Sequence, residues 1–416
     1  MKDKSVFNVV AKDRRDLINR NKEVGLIKKL CVDMVLKLSI LIVNSIGKRE
    51  PVSYIFIDEI KNRNMSNNLY DTSAKFDNKK VSFLKFYEIN KEDHIKIGIF
   101  LPIILLLSLY LQCILAVIFL VFGSRFYAEG VLRILKFNYQ LYYSRIKFDN
   151  NAILFTMTDH HFYSSLSIFF SKKINKNIKS IVLQHGAIVD ISYYYPIYAD
   201  YFFSWGIKSK EKLNDDVKAI VTGTYKFCKL LRNDENDTSR YNCYMRKYKI
   251  LWALSTPDSE KNKITLSTIL KALDSVENAE FELIIKKHPS SYSTFSFIKS
   301  VDCDKSRTKI TRVDDIIDNI EFDIAIISNS SIGYDLFVLN KVFIELRDKS
   351  ALSNISYQQY GIRVADSDMQ LKEILLDLMY KPDNYFESYS KSRENFIKEE
   401  LNDNICTIVQ TVDKLI

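Results

Sequence analysis

The chain has 416 residues, 60 basic and 51 acidic, for a formal net charge of +9. That length holds two ordinary domains, and a 47% apolar fraction with only 10 Gly and 6 Pro excludes a disordered, collagen-like or loop-rich scaffold. The excess is modest and spread along the chain, with only short clusters such as Lys172-Lys173 and Lys286-Lys287, where a nucleic-acid binder concentrates its charge; an anionic ligand or membrane surface explains the balance as well as nucleic acid does, and no nucleic-acid partner is expected.

Six cysteines form no CxxC pair and no Cys/His zinc spacing, which predicts reduced thiols in a cytosolic setting and no bound metal or cofactor. The first sixteen residues lack the apolar core of a secretory signal. In chain order, residues 15–46 have helical apolar spacing, residues 53–58 (SYIFID) read as a short buried strand, and residues 81–88 alternate as a second strand.

Residues 97–123 carry no charge, and Gln112 is their only strongly polar side chain. About 20 apolar residues cross a bilayer as a helix. The run is therefore long enough for one pass, yet Lys91 and Lys96 precede it and Arg125 and Arg133 follow, so flanking charge sets no orientation. It reads as a span, an in-plane anchor or a buried helix. A crossing would place the 53–58 strand on the opposite side from residues 124–416, so docking on the cytoplasmic face of the inner membrane is the preferred reading. A helix is expected over 127–143.

From residue 151 strands recur at 152–157, 180–183, 201–203 and 219–221, with a helix near 164–170. The polar stretch around 230–246 predicts a domain boundary, dividing the chain into 1–235 and 236–416. Beyond it, strands at 249–254, 281–286, 308–311, 324–327, 342–346 and 362–365 alternate with helices near 264–276, 314–320, 333–339 and 368–379. Apolar β-branched runs alternating with amphipathic segments define an α/β class with a parallel sheet covered on both faces. Ligands of such sheets bind at the carboxyl ends of the strands.

Those ends carry the candidate residues. Gln184-His185-Gly186-Ala187 follows strand 180–183; its histidine suits proton transfer or a structural hydrogen bond. Lys287-His288-Pro289-Ser290-Ser291 follows strand 281–286, where a histidine and hydroxyls either contact a phosphate or form a plain turn. Ser328-Asn329-Ser330-Ser331 lies between strand 324–327 and a helix, as an anion site or an ordinary N-cap. Asp159-His160-His161 follows strand 152–157 as a cleft wall or solvated loop, and Asp58-Glu59 is a carboxylate pair at a strand end. Neither GxGxxG nor GxxxxGK[ST] is present, which disfavours the common dinucleotide and P-loop sites.

Residues 180–223, SIVLQHGAIVD…YYYPIYADYFFSWGIKSKEKL…AIVTGTYK, resemble bacterial capsule and surface-polysaccharide glycosyltransferases of the GT-B fold. The KHPSS and SNSSIGYD loops look like the His-Pro and Ser-Ser motifs of bacterial polysialyltransferases, and the layout is similar to that of the CDP-glycerol glycerophosphotransferases. The resemblance covers about residues 150–380. The chain lacks the fuller Trp-His-Gly-Thr-Pro signature of the glycerophosphotransferases and the acidic-acidic-glycine motif of the polysialyltransferases.

The resemblance implies two Rossmann-like domains facing a cleft, with the apolar 97–123 segment associating the N-terminal half with a membrane. It implies a metal-independent transfer of sugar from a nucleotide-activated donor to a glycan or lipid-linked acceptor. His185 would be the acceptor-side base, with Asp58 or Glu59 as alternatives. His288 and Pro289 would contact the donor nucleotide, Ser328 to Ser331 its phosphate. Gly186, Gly223, Asp159 and His160 would line the cleft. A CDP-polyol phosphotransferase, a nucleotide-sugar epimerase and a non-catalytic membrane-bound assembly subunit remain alternatives.

Overall fold

The computed structural model describes residues 51–59, 63–85, 114, 148–159, 161–188, 197–232, 247–255, 259–277, 279–288, 295–301, 307–315, 317–347 and 355–416. The expected helices at 15–46 and 127–143, residues 86–88 of the second strand, and all of 97–123 but residue 114 lie outside them. Among the described residues no helix is long and apolar enough to cross a membrane.

Two six-stranded parallel sheets make up the fold. The first orders its strands β2-β1-β3-β4-β5-β6: β1 Val52–Asp58, β2 Val81–Lys85, β3 Phe148–Thr156, β4 Lys179–Leu183, β5 Tyr201–Ser204 and β6 Ala219–Val221. Between them run α1 Arg63–Ser73, α2 Phe162–Ile174 and α3 Ile207–Glu211; α4 Tyr225–Arg232 follows β6. The central strands are apolar on both faces, with Ile153, Leu154 and Phe155 of β3 fully buried. That continuous pattern is what a parallel sheet sandwiched by helices requires.

The second sheet orders its strands β12-β11-β10-β7-β8-β9: β7 Lys247–Ala253, β8 Glu280–Lys286, β9 Lys309–Val313, β10 Ile324–Ile327, β11 Phe343–Leu346 and β12 Val364–Ala365. Its helices are α5 Ser259–Asp274, α6 Ile332–Val338, α7 Asp368–Tyr380 and α8 Pro382–Glu400. Chain order reverses between β7 and β10 here, and between β1 and β3 in the first sheet. Such switch points open a crevice at the strands' carboxyl ends.

Every expected strand with described residues is present, but the helix expected over 314–320 is not. A single 3-10 turn, Ile317–Asn319, stands in its place, with the Ile320 amide donating to the Ile317 carbonyl at 3.1 Å. Seven residues are too few to offset the cost of nucleating an α-helix unless packing supplies the difference.

Trp205, at the carboxyl end of β5, inserts into the core of the second unit. Its ring lies 5.0 Å from Phe227 and 5.4 Å from Tyr334 of α6, both in edge-on contact. Lys226 of α4 pairs with Asp335 of α6 at 2.5 Å. Glu400, buried at the end of α8, accepts the hydroxyls of Tyr334 and Tyr360 at 2.9 and 2.8 Å. A Cβ on Gly206 would lie 2.3 Å from the Glu400 backbone, so only glycine permits this approach of the two units.

The chain then returns to the first unit. The Thr407 amide donates to the Thr222 carbonyl at 2.8 Å, and Ile408 and Val412 of α9 (Ile408–Asp413) join the core beneath β1 and β3.

Candidate functional site

His185 stands immediately beyond β4, and its position is set by its neighbour. Gln184 is buried, and its carboxamide makes three hydrogen bonds: Nε2 donates to the Gly186 carbonyl at 2.9 Å and to Ser209 Oγ at 3.0 Å, while Oε1 accepts the Trp205 amide at 2.8 Å. The Trp205 indole N–H closes the clamp on the Gln184 carbonyl at 2.8 Å. The Gln-His-Gly turn is thus tied to the Trp-Gly turn, and through Trp205 to the second unit. His185 and Gly186 are marked by the sequence, whereas the part played by Gln184 emerges only from the fold, because its partners Ser209 and Trp205 lie far along the chain.

The His185 ring is half-buried, with Nδ1 2.7 Å from the Met157 carbonyl of the adjacent strand end. A carbonyl only accepts, so Nδ1 carries the proton and Nε2 is the basic nitrogen. Burial lowers the pKa to about 4; the Met157 hydrogen bond opposes this and nearby His161 adds to it. The ring is therefore neutral at physiological pH and competent to accept a proton.

This depression has a thermodynamic consequence. The unfolded histidine takes its proton near pH 6.5, the folded one only near 4. Between those values the unfolded chain binds more protons, so stability is intact above pH 6.5 and falls as the pH drops towards 4, by roughly 3 kcal/mol in all. Urea unfolding across pH 4 to 7 should show this slope in the native chain and a shallower one in His185→Gln.

Glu59 lies just after β1, and its carboxylate caps α2 from another strand. Its oxygens accept the amides of Tyr163 at 2.8 Å and Ser164 at 2.7 Å, and Ser164 Oγ at 2.8 Å. The helix needs this, because His161 at its N-cap position makes no side-chain cap bond. Burial raises the Glu59 pKa, opposed by the Tyr163 amide, His161 and Ser164. Glu59 is thus committed to helix α2. Asp58 beside it is also buried.

Asp159 is buried too, with Oδ2 accepting the amides of Tyr198 and Ala199, the latter at 3.2 Å. It pins the loop after β3 to the segment before β5. His160 lies outside the described residues.

The two glycines differ. Among the described residues a Cβ on Gly186 would meet nothing within 4 Å. Gly223 has φ +69°, and a Cβ there would lie 2.3 Å from the Ile405 carbonyl oxygen. It is needed for the chain's return to the first unit, which local sequence does not reveal.

In the second unit His288 is half-buried two residues past β8, and burial, then Lys286, lowers its pKa. Pro289, Ser290 and Ser291 lie outside the described residues. The Ser328–Ser331 loop ends β10 at the switch point. Ser328 is buried. Asn329 takes the left-handed conformation, φ +45°, and its Oδ1 accepts the Ile355 amide at 2.8 Å, anchoring the neighbouring loop. The Ser330 carbonyl accepts the Tyr357 hydroxyl at 2.9 Å, and its Oγ accepts the Ile332 amide at 3.4 Å. Ser331 is exposed and makes no side-chain cap bond. The helix that follows has only seven residues, too short for its dipole to dominate, so any anion affinity rests on hydroxyls, amides and nearby cations.

The site residues thus gather at two strand edges, and the Trp205–Tyr334 contact joins the two units beside the Gln184–His185 turn. This is the two-domain α/β architecture of GT-B proteins. The N-terminal domain of trehalose-6-phosphate phosphatase from Candida albicans is similar to the chain at a TM-score of 0.52 and 9% identity, over 89% of this chain and 98% of that one. The wall teichoic acid polymerase TagF gives 0.47 at 14% identity, covering 99% and 96%. The UDP-GlcNAc 2-epimerase of Neisseria meningitidis, bound to UDP-GlcNAc, gives 0.46 at 13% identity, covering 82% and 94%. No family model matches the chain, and no curated protein matches it in sequence.

Proposed function

We propose that the protein is a glycosyltransferase that moves a sugar from a nucleotide-activated donor to a glycan or lipid-linked acceptor, in synthesis of a bacterial surface polysaccharide of the capsule or O-antigen type. The observation that carries this reading is His185: a neutral, half-buried imidazole with its Nδ1 proton tied to Met157, at a strand edge tied through Trp205 to the second unit. The order of the His-Gly, Trp-Gly, His-Pro and Ser-Ser loops along the chain supports it.

In this reading the acceptor hydroxyl gives its proton to His185 Nε2 as its oxygen bonds to the sugar's anomeric carbon. The bond from that carbon to the donor phosphate oxygen breaks, and the nucleotide leaves with the electron pair. His288, Ser330, Ser331 and the amides of their loop hold the departing phosphate. Residues 97–123 dock the chain on the cytoplasmic face of the inner membrane, beside a lipid-linked acceptor.

Thermal unfolding with CMP, CDP, UDP and GDP tests the reading. One of them should stabilise the protein, by about 2.7 kcal/mol at a hundredfold excess over its dissociation constant. The matching sugar nucleotide should then release its nucleotide only when an acceptor glycan is present. Epimerisation of that donor without acceptor would replace transfer by an epimerase reading, and stabilisation by none of the four would remove the enzyme reading.

A further inference from the structure

Lys286, the last residue of β8, plays no part in the sequence motifs. Its register partners across the sheet are Ala253 at the end of β7 and Val313 at the end of β9, and Ala253 in turn pairs with Ile327 at the end of β10. Lys286 therefore lies on the carboxyl edge, two strands from the Ser328–Ser331 loop and two residues from His288.

The amine is half-buried and bends towards the His288 turn, with Nζ 3.5 Å from the Lys287 carbonyl. It also senses Asp335, on the helix that follows β10, and Asp314 and Asp315 after β9. Lys286 thus stands beside the His288 turn on the same carboxyl edge from which β10 leads into the Ser328–Ser331 loop, where the proposed function puts the donor phosphate.

The nearby carboxylates are engaged elsewhere. Asp335 pairs with Lys226 at 2.5 Å, Asp314 pairs with Lys287 at 3.4 Å, and Asp315 accepts Asn319 Nδ2 at 3.2 Å. Among the described residues Lys286 has no carboxylate within 4 Å, and its one hydrogen bond is long. Burial lowers its pKa, with the three aspartates pulling back. An ammonium has three donors, and partial burial without an anion is costly. Such a group at a ligand edge is poised for an anionic ligand.

We infer that Lys286 binds the phosphate of the ligand, completing with His288 and the Ser330-Ser331 loop a cationic seat for a pyrophosphate-type anion. The inference rests on the donor-site reading above but adds a residue to it, and the two can fail separately. Lys287, already paired with Asp314, is the control.

Calorimetric titration of the full chain with inorganic pyrophosphate, and with UDP, CDP and GDP, is the test. Lys286→Met should weaken binding of pyrophosphate, and of whichever nucleotide binds, at least about tenfold. Lys286→Arg should keep most of the affinity, and Lys287→Met should bind like the native chain. Without ligand, Lys286→Met should unfold at the same temperature or higher, because a poorly compensated buried charge is gone; a lower temperature would mark the lysine as structural and overturn the inference. Undiminished binding by Lys286→Met would also overturn it, leaving the donor-site reading intact. Lys286-dependent binding of pyrophosphate with no nucleotide bound would support the anion seat and remove the nucleotide reading. No binding of any of these anions by the native chain would remove both.

Discussion

His185→Ala should lower sugar transfer by about 10²–10⁴-fold, the usual contribution of a positioned general base, and leave nucleotide affinity unchanged. The ring is not part of the second unit's edge, so its loss should not touch the proposed phosphate seat. Because burial lowers the pKa of the folded ring to about 4, the acid limb of kcat/KM for transfer by the native chain should fall near 4 and not near 6.5. A quenched-flow or radiolabelled transfer assay across pH, with nucleotide binding measured on the same variant, separates the two effects. If transfer survives the substitution, the base lies elsewhere. Glu59 is then a poor substitute, since its oxygens already take three hydrogen bonds from α2.

Trp205→Ala should cost about 3–5 kcal/mol, the range for truncating a buried aromatic. The indole is 3% exposed, fills the space between Phe227 and Tyr334, and donates to the Gln184 carbonyl. Its loss opens a cavity where the two units meet and releases one arm of the clamp on the His185 turn. Stability and transfer should therefore fall together. Trp205→Phe, which keeps most of the packing but drops the N–H donor, should cost far less stability. Urea unfolding followed through Trp252, the one tryptophan left in either variant, measures both. A midpoint in Trp205→Ala within about 1 kcal/mol of native would show that this contact does not hold the units together.

Much of the second sheet could be read directly. Its strands are short runs such as Ile324–Ile327, buried on both faces, and such runs admit few other folds. Helix α8 was harder. Over nineteen residues it is largely polar; of its described side chains Tyr389, Phe396 and Glu400 are buried and Ile397 packs beside them, with Tyr389 and Phe396, seven apart, stacked on Phe337. Arg393 adds hydrogen bonds to the Phe337 and Val338 carbonyls at the end of α6, 2.7 and 2.9 Å long. A pattern that sparse carries little helical signal, and its stability comes from the partner surface.

The candidate site divides the same way. Placement of His185, His288 and Ser328–Ser331 at strand ends followed from the sequence, because strand periodicity and turn chemistry are local properties. Their roles did not, because a role depends on what lies opposite. Asn329 holds Ile355, Gly223 admits the Ile405 backbone, Glu59 caps α2 and the aspartates around Lys286 are engaged by other partners, through residues distant in the chain.

A carboxyl edge rich in histidine and hydroxyls on a parallel sheet is written locally in the chain, since strands and their turns are encoded within a few residues. The joining of that edge's unit to a second one, and the burial that keeps His185 neutral, come from contacts between segments distant in the chain. Burial and pairing are set by the Trp205–Tyr334 contact and the chain's return at Thr407, which join segments far apart in sequence.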